Sequence, residues 1–365
     1  MTCFVAIRCQ TENDSDPSCA SETGCLANAD CQCPTRIPPG GYAPAEIPQH
    51  DYTNYSLVHD LWRMGHELGS HSMTHKVPAE SWADMPLEEY TKEMVGLRLV
   101  TEEYARIPPG QITGVRAPFL QMNGNNYTQM IRDNGFTYDA SRPTRQQMDT
   151  GIWPYTYDFV YQENLFLDCP IPPCPSDAFP GIWQVPINDL NDTKGIECAM
   201  LDQCSGRPES EAEALELLGA NFYRHYNGNR TPFNLFTHAS WFQGDWTHNF
   251  DALQKWIDEV LTMGDVYIVP ARTAVAFMKE PIDSELASVG AGPLYTCGGV
   301  IPNRDCRLGP PCDYCDPTGK GSARLPAEVI MAVCGNCPPC FPTPDDPIGM
   351  ECAGENPYPR CPARD

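Results

Sequence analysis

The sequence predicts an α/β fold, a mainly parallel sheet or barrel covered by helices, with cysteine-rich extensions at both ends. Three observations predict it. Helical stripes alternate with short apolar runs from about residue 57 to residue 269, as repeated βα units require. The 19 cysteines cluster: six lie between Cys3 and Cys33, four between Cys169 and Cys204, and nine between Cys297 and Cys361. From Ala287 onward the periodicity dissolves into Pro, Gly and Cys. The expected organisation is a cysteine-rich segment over residues 1–37, a central domain over 38–285 and a separate disulfide-bonded tail over 286–365.

The elements run in order. Leu57, Val58, Leu61 and Trp62 form a helical stripe closed by Gly65, and residues 65–70 then read as a short strand. Leu87, Tyr90, Met94 and Leu97 mark a second helix behind Pro86, whose fixed φ suits a first turn. A strand is expected over 112–116, a helix over 127–133 stopped by Asn134-Gly135, and a strand over 136–139. Residues 183–187, 233–237 and 266–269 read as buried strands, with helices over 210–225 and 249–263. In such folds the chemistry sits at the carboxyl ends of the strands.

Three clusters stand at such ends. His71 and His75, four residues apart after a strand, can present both imidazoles on one side of a turn, as zinc requires. The plain alternative is two polar residues at a strand end. Arg116, followed by Pro118 and Phe119, closes the next strand. An arginine there either fixes a carboxylate through a bidentate pair or is a surface residue before a turn. His238 leaves the apolar strand of Leu235 and Phe236. A lone histidine in that place is more often structural than a proton donor.

Taken in order, these clusters resemble the carbohydrate esterase family 4, or NodB-type, polysaccharide deacetylases, and within them the animal chitin-deacetylase branch. The family's His-Ser/Thr-x-x-His motif matches His71 and His75, its Arg-x-Pro-aromatic motif matches Arg116, Pro118 and Phe119, and its Leu-x-His motif is met, one residue out of register, by Leu235 to His238. Residues 39–41, 124–126, 138–141, 153–156, 169–174 and 238–242 add to the likeness, which covers about residues 25–285. The resemblance implies a deformed (β/α) barrel and metal-dependent N-deacetylation of chitin or a related N-acetylglucosamine polymer. It implies that His71 and His75 hold Zn2+ or another divalent metal. Arg116 would orient the catalytic base, Asp139 would brace Arg116, and His238 would protonate the leaving amine. Phe119, Trp183, Leu235 and Phe236 would meet the substrate. His71, His75, Arg116, Asp139 and His238 are expected to converge at the carboxyl end of a parallel sheet.

One departure is specific. The family opens its catalytic domain with a strand ending Thr-Phe-Asp-Asp, which supplies the general base and the third metal ligand. The only Asp-Asp pair here is Asp345-Asp346, between prolines in the tail. The resemblance breaks between Gln49 and His50, so a first βαβ unit of roughly thirty or more residues is expected to be missing. The zinc would then lack its third protein ligand, with Asp51 and Asp60 the nearest substitutes in sequence. Besides an active deacetylase, the sequence therefore fits a catalytically inactive chitin- or matrix-binding protein, or an exon-skipped product.

The bulk numbers exclude other classes. With 24 Lys+Arg against 48 Asp+Glu, a net charge of −24 disfavours nucleic acid as a partner. No stretch approaches 18 uncharged apolar residues, so no transmembrane helix is expected. Cysteine density and five glycosylation sequons, at Asn13, Asn54, Asn126, Asn191 and Asn229, predict an extracellular protein, although residues 1–10 are too polar for a signal peptide. Cys169 with Cys174 and Cys198 with Cys204 are the expected local disulfides, and the odd count leaves one cysteine over, Cys297 being the first choice. Cys312-x-x-Cys315 and Cys334-x-x-Cys337 read as disulfide partners rather than zinc modules.

Overall fold

The computed structural model describes residues 2–3, 52–145, 149–159, 169–280, 306–307, 309–316, 328–352 and 358–361. Asp51, Cys297 and the cysteines from Cys9 to Cys33 lie outside them.

Strand β1 (Thr2–Cys3) comes first in the chain, then β2 (Tyr52–Asn54), which runs into helix α1 (Tyr55–Arg63). Asn54 caps that helix, its carboxamide oxygen accepting from the Ser56 amide at 3.0 Å. Strand β3 (Gly69–Ser70) and the one-turn helix α2 (Glu80–Ala83) lead to α3 (Leu87–Tyr104), which starts directly after Pro86. Next come β4 (Gly114–Val115), α4 (Asn125–Asp133) and β5 (Tyr138–Asp139). Then β6 (Tyr155–Thr156), β7 (Trp183–Gln184) and the hairpin β8 (Leu190–Asn191) and β9 (Glu197–Cys198) precede α5 (Glu211–Tyr226). The chain closes with β10 (Leu235–Phe236), α6 (His248–Leu261), α7 (Ala271–Lys279), β11 (Cys312–Cys315) and β12 (Glu328–Ala332).

The central sheet has five strands in the order β3-β4-β5-β7-β6. The first four are parallel, with Ser70 opposite Val115, Val115 opposite Asp139, and Asp139 opposite Gln184. Strand β6 is antiparallel to β7, which the sequence reading did not anticipate. Among the described residues strand β3 is an edge of this sheet, and β10 stands outside it, paired antiparallel with β1. Residues 266–269, expected as a strand, are not one. A strand needs a ladder partner for its amides. Here Ile268 packs instead into the α5–α6 core, and α7, missed in the sequence, comes next.

Helices α3 and α4 cover one face of the sheet, where Tyr90, Met94, Tyr127, Met130 and Ile131 bury against Val115. On another core Tyr138, Val185 and Ile187 meet Phe236 and Val275. Both expected local disulfides are present, Cys169–Cys174 and Cys198–Cys204. In the tail the bonds are Cys306–Cys334, Cys312–Cys337, Cys315–Cys361 and Cys340–Cys352, so each cysteine of the two x-x spaced pairs bonds outside its own pair.

The tail, expected as a disulfide-bonded unit, packs against the central domain. Strand β12 pairs parallel with β2, Ile330 opposite Tyr52 and Met331 opposite Thr53. Tyr314, Val329, Met331 and Val333 share one core with Tyr55, Val58, Val100, Tyr104 and Ile107. The physical reason is that β2 alone would leave an unpaired edge over the apolar side of α1.

Candidate active site

His71 leaves β3 and is 1% exposed. Its Nδ1 lies 2.7 Å from the carbonyl oxygen of Arg116. A carbonyl only accepts, so Nδ1 carries the proton and Nε2 keeps its lone pair. That Nε2 is buried and has no hydrogen-bond partner among the described residues. Burial, then the charges of Arg116 and His75, holds the ring well below the ordinary imidazole value, so it stays neutral. His59 shows the same pattern, with Nδ1 2.7 Å from the Ala105 carbonyl and a buried Nε2, so what sets His71 apart is the second imidazole beside it.

His75 completes the pair, with its ring centroid 5.0 Å from that of His71. The loop that sets this spacing is left-handed at two non-glycine residues, Ser72 (φ 74) and His75 (φ 44). Among the described residues no group of three or more His, Cys, Asp or Glu side chains converges to hold an ion. Asp60 pairs with Arg63 at 3.3 Å, and Asp346 accepts from the amides of Met350 and Glu351 at 3.1 and 2.8 Å. Neither serves this site.

Arg116 follows β4 on the neighbouring strand, and its amide donates to the Ser70 carbonyl at 3.0 Å. Its guanidinium is buried. The turn after it, Pro118–Leu120, is again left-handed, at Phe119 (φ 55) and Leu120 (φ 60). This swings the half-open Phe119 ring to 4.4 Å from His75. Asp139, expected to brace Arg116, accepts from the hydroxyls of Tyr127 at 2.8 Å, Tyr157 at 3.0 Å and Ser141. Burial raises its pKa, and the hydroxyls and the charge of Arg142 oppose that rise. Ser141 in turn accepts from the Ala117 amide at 2.8 Å, so Asp139 supports the Arg116 loop at one remove.

His238 follows β10. Its Nδ1 donates to the Asp202 carboxylate at 2.7 Å, and its amide donates to the other oxygen at 2.9 Å. Burial pushes the Asp202 carboxyl up, but the bond and charge of His238 outweigh it and the net direction is down. The sequence reading missed Asp202. Its only sequence signal was a carboxylate between Cys198 and Cys204, whose disulfide fixes the loop. An anchored imidazole with Nδ1 on a carboxylate is oriented to pass a proton through Nε2. Of the other expected contacts, Leu235 and Phe236 are fully buried in two different cores and Trp183 packs partly buried beside Phe236. Beyond Asp202, Arg207 donates to its carbonyl oxygen and also lines a groove of about 810 Å³ with Trp246, Glu213 and Glu216.

The structure thus brings His71, His75 and Arg116 together at the carboxyl ends of β3 and β4, with Asp139 on the next strand and His238 two residues after β10. No protein-family model matches the chain. Solved structures similar to it include a polysaccharide deacetylase from Mycobacterium smegmatis, at 20% identity, 63% of this chain, 68% of that one and a TM-score of 0.42. Another is from Pseudomonas aeruginosa PAO1, at 14% identity, 63% and 65% coverage and a TM-score of 0.41. The sequence relatives are stronger. Chitin deacetylase 1 of Bombyx mori is 31% identical over 309 residues, 82% of this chain, which spans about half (55%) of that relative's length. Chitin deacetylase 8 of Bombyx mori is 32% identical over 303 residues, 82% of this chain and 75% of the relative. At that identity and coverage, the chain belongs to the chitin deacetylase family.

Proposed function

We propose that this chain carries the metal-ligand and proton-donor halves of a site for N-deacetylation of chitin or a related N-acetylglucosamine polymer. The observation that carries the reading is the pairing of His71 with His75 at 5.0 Å, with the His71 Nδ1 on a backbone carbonyl and its Nε2 without a hydrogen-bond partner among the described residues. His71 and His75 would hold a divalent ion, zinc by preference for imidazole, and such an ion supplies Lewis-acid polarisation of an amide carbonyl. His238, held by Asp202, delivers a proton to the departing amine. Phe119 offers an apolar edge beside His75 for the sugar, and Arg116 places its positive charge next to the histidines.

The carboxylate that should take a proton from water is missing from this set. Losing a general base costs about 10²–10⁴ in rate. We attribute its loss to a missing first βαβ unit between Gln49 and His50, which the edge position of β3 supports, and with it an unclosed barrel. Turnover by the chain as it stands is therefore negligible. A secreted setting is supported by six disulfides among the described residues and by exposed sequon asparagines at Asn126 and Asn229. A second reading, a glycan-binding protein of the matrix without turnover, is favoured by the groove beside Trp246.

The test compares acetate release from chitin oligomers with zinc binding. The chain as written should bind zinc weakly and release no acetate. Inserting a family βαβ unit between Gln49 and His50 should restore both, and His71→Ala in the restored chain should abolish both. Robust zinc-dependent release by the chain as written would overturn the reading. Retention on chitin without acetate release, even after restoration, would favour the binding protein.

A further inference from the structure

Beneath the two histidines lies a carboxylate that no role above uses. Glu93, on α3, is 4% exposed, on the helix face that carries Tyr90, Met94 and Leu97 into the core. A buried carboxylate is costly unless fully bonded. Its bonds go to the loop between His71 and His75. Oε2 accepts from the Met73 amide at 3.1 Å and the Thr74 amide at 2.9 Å, and Oε1 accepts from the Thr74 hydroxyl at 2.6 Å. The backbone carbonyl of Glu93 also accepts from the Met73 amide at 3.1 Å. One residue on, the Met94 carbonyl accepts from the Ser70 hydroxyl at 2.6 Å. At Gly96 the missing side chain leaves room for the Met73 sulfur, with which a Cβ would collide.

The loop needs this support. Ser72 and His75 both sit at positive φ, where a residue with a Cβ persists only if its surroundings over-determine it. Inside the loop one prop is the Ser72 hydroxyl, which accepts from the His75 amide at 3.0 Å. Without the Glu93 carboxylate the Thr74 amide would face an apolar helix unsatisfied, and Met73 would keep only the backbone carbonyl. The loop would relax toward ordinary backbone, taking His75 away from His71.

We propose that Glu93 is a positioning residue, whose carboxylate clamps residues 72–75 in the shape that presents His71 and His75 as a pair. The inference rests on the reading of those histidines as metal ligands, and it concerns the loop's shape rather than the reaction. Charge is not what the clamp needs. A glutamine can accept both amides with its oxygen and donate to the Thr74 hydroxyl with its nitrogen.

The test uses the full chain with Glu93→Ala, Glu93→Gln and His71→Ala, zinc ion as the probe, and temperatures well below melting. Zinc affinity is read by competition with a chromophoric chelator, and amide hydrogen exchange is read at Met73 and Thr74 against helix α5 as an internal control. Glu93→Ala should weaken zinc binding about 10–100-fold, the usual effect of losing a group that orients ligands. It should speed exchange at Met73 and Thr74 while α5 stays unchanged. Glu93→Gln should keep both close to the parent. Unchanged exchange at the two amides in Glu93→Ala overturns the proposal, as does a Glu93→Gln variant as impaired as the alanine. If the parent binds zinc no better than His71→Ala, the metal reading fails, and the exchange data alone decide whether Glu93 sets the loop.

Discussion

Replacing Asp202 with asparagine exchanges one oxygen of the His238 brace for an NH2 group, and the geometry fixes the consequence. The backbone amide of His238 is a fixed donor 2.9 Å from one carboxylate oxygen, so the asparagine must keep its carbonyl there. Its NH2 then faces Nδ1, which donates to the other carboxylate oxygen at 2.7 Å in the parent. Two donors cannot face each other. The imidazole must move its proton to Nε2, which leaves Nδ1 as the acceptor and Nε2 unable to play the same part in proton delivery. A hydrogen bond to a charged group contributes about 1.5–3 kcal/mol, so Asp202→Asn should destabilise the fold by about that amount near neutral pH. The sign of the pH dependence is fixed as well. The folded-state value of Asp202 is depressed, so its contribution is present above the unfolded carboxylate value of about 3.9 and is lost as pH falls through the folded one. The gap between parent and variant should therefore close in acid. Urea titrations at several pH values measure the gap, and long-range ¹⁵N NMR of His238 reports the tautomer. A stability change below about 0.5 kcal/mol with the Nδ1–H form retained would refute the reasoning, because it would place the Asp202 bond among the weak surface pairs.

Other parts of the fold carry their own expected outcomes. Gly114→Ala should cost about 1–3 kcal/mol, because a Cβ on β4 collides with the buried ring of Tyr138 on the next strand; an unchanged melting midpoint would contradict the register. His225 is pushed down to about 4 by burial and then by the charge of Arg224. Its contribution is thus whole above the unfolded value of about 6.5 and is lost as pH falls toward 4, and His225→Gln should flatten the urea midpoint across that window. Ending the chain after Glu280 should destabilise the central domain, since Tyr55, Val58 and Val100 lose the tail side chains that bury them. A truncated protein melting like the parent would show that the tail is dispensable.

Much of the site was legible because its residues are chemically costly in other roles. Histidines four apart after a strand, and an arginine before a proline, signal their chemistry locally. Asp202 was not legible, because a carboxylate in a cysteine-bounded loop looks like any solvated turn until the fold places it under His238. Asp139 closed an expected strand, but its partners were not legible, since three hydroxyls from residues 127, 141 and 157 reach it only through tertiary packing. Glu93 did leave a mark. It stands three residues after Tyr90 and one before Met94, a charge on the apolar stripe of a helix, and such a charge needs a partner. Helix positions came through well, as in α3, α5 and α6, because a period of 3.6 is read over many residues. The strands came through less well, with 266–269 not a strand and β6 unforeseen, because two-residue ladders are set by their neighbours.

An unpaired strand edge gives the tail its place against the central domain. An edge strand offers unpaired amides and carbonyls that something must cover. Strand β2 begins two residues after the position where the family resemblance breaks, and its ladder partner is β12 of the tail. The tail can serve because four disulfides hold β11 and its neighbours without a large core of their own. The apolar residues it does have, Tyr314, Val329 and Met331, bury among side chains of α1 and α3. The Tyr104 hydroxyl at the end of α3 donates to the Ile348 carbonyl, and the Cys334 amide donates back to the Tyr104 carbonyl at 2.8 Å. Helix α3 therefore has two duties along one length. Near its middle, Glu93 and Gly96 carry the histidine loop, and from Val100 to Tyr104 it carries the tail.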